Sequence, residues 1–150
     1  MILYLDTSAL VKFYIDEVHS EQTLRLASQA DHLICHAIGF VETRAALASA
    51  TRGRRLTQNQ HTQIVRQFRE DWEKISSVGL DPELLERAAQ FAEGFSLRGY
   101  DSLHLASADR IYKGSSEFVF ISFDKRLNQA GRLLGMTLPD FIAPEAGLTE

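Results

Sequence analysis

The sequence has few of the residues and segments that mark secreted, fibrous or membrane-spanning proteins. Its one cysteine, Cys35, excludes an internal disulfide and fits a reducing compartment, with the cytoplasm as the default. No apolar run approaches the roughly 20 residues that cross a bilayer, and no internal repeat or low-complexity tract occurs. The apolar amino terminus lacks a basic leader and a small-residue cleavage site, which favours a first strand over a signal peptide. With 150 residues and three prolines, the chain is expected to form one globular domain over residues 1–150.

Acidic residues are missing from one long segment. The whole chain carries a net charge of -4, which argues weakly against a nucleic-acid partner. Between Thr43 and Arg69, however, there is no aspartate or glutamate. This basic segment could track nucleic-acid phosphates, contact a partner protein, or simply form exposed helices and a loop. Its arginines are Arg44, Arg52, Arg54, Arg55, Arg66 and Arg69.

Short apolar runs alternate along the chain with segments of helical character. The runs predict five strands at residues 2–5, 33–37, 78–80, 118–122 and 136–138. Helices are predicted at residues 9–15, 20–30, 38–50, 57–75, 82–97, from 101 onwards and at 125–134. Thr7 or Ser8 is expected to cap the first helix, while Thr57 and Asp81 begin strong helix-start patterns. The alternation predicts an α/β fold with a parallel sheet and helices on both faces.

Four carboxylates fall where a parallel sheet brings them to one edge. Asp6 follows the first predicted strand, Glu42 lies a few residues beyond the second, and Asp124 follows the fourth. Asp101 stands near the start of the helix that leads to the fourth strand. In open α/β sheets the functional crevice lies outside the carboxyl ends of the strands, so all four can reach one rim. Taken singly, Asp6 and Asp101 could be helix caps and Asp124 a turn residue. Glu42, among apolar neighbours, must face outward or be held by another group.

A cluster of carboxylates needs a counter-charge. At about 4 Å and an effective dielectric constant near 20, one carboxylate pair repels by roughly 4 kcal/mol. A bound cation relieves that repulsion, and oxygen ligands without histidine or cysteine favour Mg²⁺ or Mn²⁺ over zinc. Such a site can orient a water for in-line attack on a phosphodiester and stabilise the leaving oxygen. The four acids therefore indicate a metal-dependent nuclease with one ion or two.

The segments around these acids resemble the motifs of PIN-domain ribonucleases, and specifically of the VapC-type toxins of bacterial and archaeal toxin–antitoxin pairs. The matching segments are YLDTSALVKFY at residues 4–14, FVETRAAL at 40–47, YDSLHLASA at 100–108 and FISFDKRL at 120–127. They occur in the family's order and span essentially the whole chain. Two spellings depart from the usual pattern: Gly131 stands where the family often has alanine, and the segment Arg98-Gly99-Tyr100 is not fixed. Neither departure removes a carboxylate.

The resemblance implies a single PIN-like domain whose five-stranded parallel sheet has the order 3-2-1-4-5. It implies that Mg²⁺ or Mn²⁺ is held most directly by Asp6 and Asp101, and that the other two acids complete the metal site. Supporting hydrogen bonds are expected from Ser8 and Ser122.

The resemblance also implies an activity and partners. Members of the family cleave RNA endonucleolytically and leave a 5′-phosphate and a 3′-hydroxyl. The antitoxin usually inserts a carboxy-terminal segment across the groove, often with a basic side chain at the acids, and homodimers are common. On this interpretation the basic segment contacts RNA or the partner, through Arg44, Arg52, Arg54 and Arg55.

Other interpretations fit the residues less well. A phosphotransferase of haloacid-dehalogenase type needs a second aspartate two residues after the first, and Ser8 stands there. A receiver-like phosphoacceptor domain needs paired acids near the amino terminus, which are missing. A PIN nuclease outside a toxin pair, or a non-catalytic PIN module that binds RNA or protein, is the main alternative.

The histidines and the cysteine do not predict a zinc site. His32, Cys35 and His36 look superficially like zinc ligands. Neighbouring residues of a strand face opposite sides, so Cys35 and His36 do not readily meet one ion. His104, on the helix after Asp101, is predicted to be a packed or hydrogen-bonded histidine.

Overall fold

The computed structural model describes residues 1–142 and 144, and its centre is a sheet of four parallel strands. The strands are β1 (Ile2–Leu5), β2 (His32–His36), β3 (Ser76–Val78) and β4 (Phe118–Ile121). Their order is β3-β2-β1-β4, and every neighbouring pair is parallel. The order runs outward from β1 in both directions, so the switch point of this sheet lies between β1 and β4.

Seven α-helices connect and cover the strands in the part of the chain that the structure describes. They are α1 (Thr7–Leu10), α2 (Ser20–Gln29), α3 (Ile38–Arg52), α4 (Gln58–Trp72), α5 (Pro82–Phe95), α6 (Gly99–Tyr112) and α7 (Lys125–Leu133). A 3-10 turn at Val11–Phe13 continues α1. None of the described helices is long and apolar enough to cross a membrane.

The predicted fifth strand at residues 136–138 is wrong. On the outer side of β4 there is one isolated parallel bridge, between Val119 and Thr137, in which the Phe120 N–H donates to the Thr137 carbonyl at 2.9 Å. The next rung of a parallel ladder would use the N–H of residue 139, and this residue is Pro139, which has none. The sheet order 3-2-1-4 is therefore correct as far as it goes, and the ladder ends before a fifth strand can form.

Hydrophobic side chains leave the sheet towards two cores, one on each face. Tyr4 of β1 enters a core that includes Leu105 of α6 and residues of α5 and α7. Its neighbours Leu3 and Leu5 enter the other core, which includes Phe68 of α4. The expected α/β class, with helices on both faces of a parallel sheet, is confirmed.

The first helix is shorter than predicted and has a different cap. Asp6, not Thr7 or Ser8, is its N-cap, because the Asp6 Oδ1 accepts the Ala9 N–H at 3.0 Å. The predicted helix over 9–15 is divided into α1 and the 3-10 turn. The predicted caps of the two later helices are confirmed, since the side chains of Thr57 and Asp81 cap α4 and α5.

The third strand begins two residues earlier than the apolar pattern predicts. β3 is an edge strand whose first two residues, Ser76 and Ser77, are exposed. Only Val78 of this strand has the partly buried apolar character that the prediction relied on. An edge strand needs no second buried face, so its sequence carries little pattern.

The helix α3 begins directly after β2 and lies unusually close to the end of that strand. Its N-cap, Ala37, makes no side-chain cap hydrogen bond. A Cβ atom added to Gly39 would lie 2.4 Å from the Cys35 Sγ, so only glycine permits this approach. The close approach carries Glu42, which follows one turn later, to the ends of the central strands.

Candidate active site

The four predicted carboxylates line one crevice beyond the carboxyl ends of β1 and β4. The crevice has a volume of about 280 Å³. The structure therefore brings the four acids together, and it brings Ser8 with them. Its lining residues among those described are Asp6, Thr7, Ser8, Glu42, Arg98, Tyr100, Asp101, His104 and Asp124.

Asp6 is the most deeply placed of the acids, with 3% of its surface exposed. Its Oδ1 accepts the Ser8 hydroxyl at 2.7 Å and the Ala9 N–H at 3.0 Å. Its Oδ2 accepts the Ser122 hydroxyl at 2.7 Å. Burial raises the pKa of Asp6, although His104 and these hydrogen bonds oppose the rise. The Asp6 carboxylate is thus held rigidly, at an electrostatic cost that its environment leaves only partly compensated.

The two predicted supporting serines connect Asp6 to the loop that carries Asp124. The Ser8 hydroxyl accepts the Phe123 N–H at 2.8 Å, and the Ser122 hydroxyl accepts the Asp124 N–H at 3.0 Å. Each serine therefore donates to Asp6 and accepts from the backbone after β4. This arrangement fixes the ends of β1 and β4 relative to each other.

Asp124 both caps a helix and faces the crevice. Its Oδ1 accepts the Leu127 N–H at 2.9 Å, which caps α7. Its Oδ2 accepts no hydrogen bond from the described residues. One oxygen therefore fulfils the structural role expected for a residue before a helix, and the other is available at the crevice.

Asp101 has no comparable structural role. It lies in the first turn of α6, whose N-cap is Arg98, so it does not cap the helix as the sequence allowed. Its nearest charged partner is Arg98, at 4.0 Å between Nε and Oδ2. Burial raises the pKa of Asp101, and repulsion by Asp124 and by Asp6 raises it further, against the weaker effect of Arg98.

Glu42 is held by two donors on the same oxygen. Its Oε1 accepts the Thr7 hydroxyl at 2.7 Å and lies 2.8 Å from His104 Nε2. Burial on its own raises the pKa of Glu42, but the hydrogen bonds from His104 and Thr7, with the charge interactions of His104 and His36, together lower it. The sequence required Glu42 to face outward or to be held, and the structure shows that it is held. Its Oε2 accepts no hydrogen bond from the described residues.

A buried hydrogen-bond chain runs from the core to Glu42 through His104. The Tyr4 hydroxyl accepts the His36 N–H at 3.0 Å and lies 2.9 Å from His104 Nδ1. The tyrosine proton is therefore free to be donated to Nδ1, which in the neutral ring leaves the imidazole proton on Nε2, facing Glu42. His104 is indeed hydrogen-bonded, as predicted, but its contact with Glu42 makes it part of the site. The available signal was its spacing, since His104 lies one helical turn after Asp101.

The donors that face the crevice fit a hard cation. Both nitrogens of His104 are engaged, so the donors that remain for a cation are carboxylate oxygens of Asp6, Glu42, Asp101 and Asp124. Among the described residues, no group of three or more histidine, cysteine, aspartate or glutamate side chains is arranged to hold a metal ion. Mg²⁺ takes only one or two protein carboxylates directly and keeps several waters, so a loose set of carboxylates suits it. The donor set fits Mg²⁺ or Mn²⁺ better than zinc.

The predicted basic surface lies apart from the acids. None of the four arginines predicted to contact RNA or a partner lines the crevice in the described structure; they are Arg44, Arg52, Arg54 and Arg55. The Arg44 guanidinium lies over Phe40, 5.9 Å from the ring centroid, and Arg55 lies 3.6 Å from Glu17. Arg52 and Arg54 are exposed. Their contact with RNA or with a partner stays a prediction.

The crevice instead carries a cation and an aromatic ring that the sequence did not single out as functional. Arg98 and Tyr100 line it beside Asp101. Thr7 also joins the site through its hydrogen bond to Glu42. The available signal for Arg98 and Tyr100 was their position, because both lie within three residues of Asp101.

Comparison with known families agrees with the fold. Residues 3–133 match the profile of the PIN domain family. The chain therefore belongs to the PIN-domain family. All four crevice acids lie within the matched residues.

Two curated relatives identify the branch of the family more closely. They are Ribonuclease VapC45 of Mycobacterium tuberculosis strain CDC 1551 / Oshkosh and Ribonuclease VapC49 of strain ATCC 25618 / H37Rv. Each is 31% identical over 134 residues, which cover 89% of this chain and 92% of the relative. The chain is a PIN domain of the VapC type.

Solved structures share the fold at lower sequence identity. Mycobacterium tuberculosis VapC20, described as a toxin that cleaves the sarcin–ricin loop, has a TM-score of 0.63 at 19% identity; the match covers 86% of this chain and 95% of that one. FitAcB from Neisseria gonorrhoeae has a TM-score of 0.64 at 15% identity, covering 92% and 96%.

Proposed function

We propose that the chain is a metal-dependent endoribonuclease and the toxin of a toxin–antitoxin pair. The observation that carries the proposal is the environment of Asp101. Its carboxyl lies partly buried near Asp6 and Asp124, whose charges raise its pKa, and its nearest cation among the described residues, Arg98, is 4.0 Å away and mostly exposed. Such an arrangement costs stability unless a cation binds. The names of the relatives VapC45 and VapC49 support RNA as the substrate.

Mg²⁺ or Mn²⁺ is the proposed ion. Asp6 and Asp101 would hold it most directly, and Glu42 and Asp124 would complete the site. When bound, such an ion lowers the pKa of a coordinated water and neutralises charge on the phosphate. The oxygen donors described above are of the type that this ion requires.

The chain's own residues preorganise the carboxylates. Asp6 cannot rotate freely, because its two oxygens accept three hydrogen bonds from Ser8, Ala9 and Ser122. Glu42 is held through Oε1, which leaves Oε2 for the ion or for the water that attacks the phosphodiester. Groups held in place before the substrate binds do not have to reorganise during the reaction.

The toxin assignment includes partners and a location. We expect a cognate antitoxin protein as partner, a homodimer, a cytoplasmic location, and one PIN domain over residues 1–150. A PIN nuclease outside a toxin pair is the main alternative, and a non-catalytic module is disfavoured because all four acids are present. Expression of the native chain should arrest growth, and the Asp6→Asn variant should not. Normal growth with the native chain would remove the toxin assignment but not the nuclease.

The activity itself is tested by cleavage of end-labelled RNA with Mg²⁺. The native protein should cut internally and leave 5′-phosphate and 3′-hydroxyl ends, and EDTA should stop the reaction. Asp6→Asn should reduce the rate at least about a hundredfold, since it removes a charged ligand. Asp109→Asn is the matched control, because Asp109 lies on α6 outside the crevice, paired with Arg87. Equal rates for the native protein and Asp6→Asn would refute the site.

A further inference from the structure

One exposed cation and one exposed aromatic ring stand together at the mouth of the acidic crevice. The Arg98 side chain is 88% exposed, and Tyr100 is 61% exposed. Arg98 is the N-cap of α6 and Tyr100 lies in its first turn, next to Asp101. Both line the crevice together with the four acids.

The charge of the crevice makes Arg98 important for a phosphate-bearing substrate. Of the lining residues in the described part of the chain, Arg98 is the only permanent cation, against four carboxylates. Its contact with Asp101 is long, at 4.0 Å, and involves one of its five N–H donors. The guanidinium therefore keeps free donors towards solvent. A bidentate contact with a phosphate is the use for which guanidinium geometry is best suited.

Tyr100 exposes a large aromatic side chain at the crevice, where 61% of the residue is accessible to solvent. Its hydroxyl makes no hydrogen bond with the described residues, so no fixed partner explains its position. Between it and Arg98 stands Gly99, and a Cβ atom added there would meet nothing within 4 Å. The residue between Tyr100 and Arg98 therefore carries no side chain that would crowd the two groups.

We propose that Arg98 and Tyr100 form a nucleotide-binding subsite in which Tyr100 stacks on an unpaired base and Arg98 pairs with the adjoining phosphate. The proposal rests on the ribonuclease activity proposed above and adds which residues of this chain hold the nucleotide next to the cleaved bond. Stacking requires a free base face, which a paired helix does not offer. The basic segment near the end of α3 does not provide this subsite, since none of its predicted arginines lines the crevice.

The test measures cleavage kinetics of native protein and variants on a single-stranded RNA. Stacking on an aromatic side chain and one phosphate contact each change binding by about tenfold or more. Tyr100→Leu and Arg98→Gln should therefore each raise KM about tenfold and change kcat less. Tyr100→Phe retains the ring and should restore the native KM. The control is Arg25→Gln, which removes a similarly exposed ion-paired arginine of α2 outside the crevice.

A second readout reports stacking directly. An RNA with 2-aminopurine next to the cleavage position is bound to the Asp6→Asn protein, which should not cleave it. Its fluorescence should fall when the Asp6→Asn protein binds it. It should not fall when the protein that binds carries both Asp6→Asn and Tyr100→Leu. A purely structural role of Tyr100 would not affect this signal. Thermal unfolding of each variant shows whether the fold is intact.

The outcomes separate this inference from the proposed activity. If the native protein cleaves RNA while Tyr100→Leu and Arg98→Gln keep the native KM and fluorescence response, the subsite is wrong and the ribonuclease stands. If these variants lose affinity only for a partner protein, the pair docks protein and the subsite is again wrong. If the native protein neither binds nor cleaves RNA, the proposed activity itself fails.

Discussion

Replacing His104 with asparagine removes the ring nitrogen Nε2, which lies 2.8 Å from Glu42 Oε1, and keeps a polar atom near the position of Nδ1, which pairs with Tyr4. A hydrogen bond to a charged group contributes about 1.5–3 kcal/mol. Thr7 still donates to the same Glu42 oxygen at 2.7 Å, so the loss should lie at the lower end, about 1.5 kcal/mol. That corresponds to about tenfold in an equilibrium constant. We expect the Mg²⁺ concentration for half-maximal cleavage to rise about tenfold.

The same substitution should change the pH dependence of cleavage. The hydrogen bond from His104 helps to lower the pKa of Glu42, so removing the donor raises that pKa. As the pH falls, Glu42 of the variant then takes up a proton earlier than in the native protein. The acid limb of the activity profile should therefore move to higher pH in His104→Asn.

The assay is initial-rate cleavage of labelled RNA across a Mg²⁺ series at several pH values, with Mn²⁺ binding measured separately without RNA. His104→Gln places an amide near the position of Nε2 and should recover part of the metal affinity. His19→Asn is the control, because the His19 ring stacks on Phe123 and Phe141, away from Glu42 and His104. An unchanged Mg²⁺ requirement in His104→Asn, with the fold intact, would show that the histidine does not position Glu42.

Three further predictions concern stability and RNA binding. The folded-state pKa of Asp101 is raised above 3.8, so its charge destabilises the metal-free protein at neutral pH, and this effect disappears as the pH falls through the raised value. Asp101→Asn should therefore raise the metal-free Tm by a few degrees at pH 7 and leave it unchanged in acid. A lower Tm of the variant at pH 7 would contradict the repulsion. Gly39→Ala places a Cβ 2.4 Å from the Cys35 Sγ and should lower the free energy of unfolding, measured by chemical denaturation, by about 1–3 kcal/mol. In the control Gly94→Ala of α5 the added Cβ meets nothing within 4 Å, so this variant should be stabilised by up to about 1 kcal/mol. Equal effects of the two substitutions would refute the close approach. If the exposed basic segment tracks phosphates, replacing Arg52, Arg54 and Arg55 together with glutamine should flatten the salt dependence of RNA binding by about 2 in log–log slope. An unaltered slope would mean that these arginines form a partner surface or plain exposed helices.

The acidic site could be predicted from the sequence because parallel-sheet topology constrains it strongly. Asp6 and Asp124 follow adjacent strands, so any sheet with β1 beside β4 brings them to the same edge. The loop contacts through Ser8 and Ser122 follow from the same adjacency. Chain order and strand polarity were enough to predict a shared rim without knowledge of side-chain packing.

The hydrogen bonds that hold Glu42 could not be predicted in the same way. They join Glu42 to His104, which is 62 positions away in the sequence, and to Thr7, which is 35 positions away. Both depend on how closely α3 approaches β2. That approach leaves no room for a Cβ atom at Gly39 beside the Cys35 Sγ. Distances of this kind arise from packing of elements and leave no periodic pattern in the sequence.

The predicted number of strands, five, is wrong for a local reason. Residues 136–138 have the apolar character of a strand, and Thr137 does form a bridge with β4. A single missing N–H, that of Pro139, ends the ladder. Apolar patterning reports burial, whereas extension of a ladder also depends on a donor at each rung.

The central claim is that the crevice acids bind a divalent cation that RNA cleavage requires. It is tested most directly by titrating Mn²⁺ into the native protein and into Asp101→Asn, with electron paramagnetic resonance to count free ion, and measuring RNA cleavage on the same samples. The native protein should bind Mn²⁺ and its cleavage should follow occupancy. Asp101→Asn should lose most of its Mn²⁺ binding and most of its RNA cleavage while remaining folded. Equal Mn²⁺ binding by the two proteins, or metal-independent cleavage by either, would contradict the account.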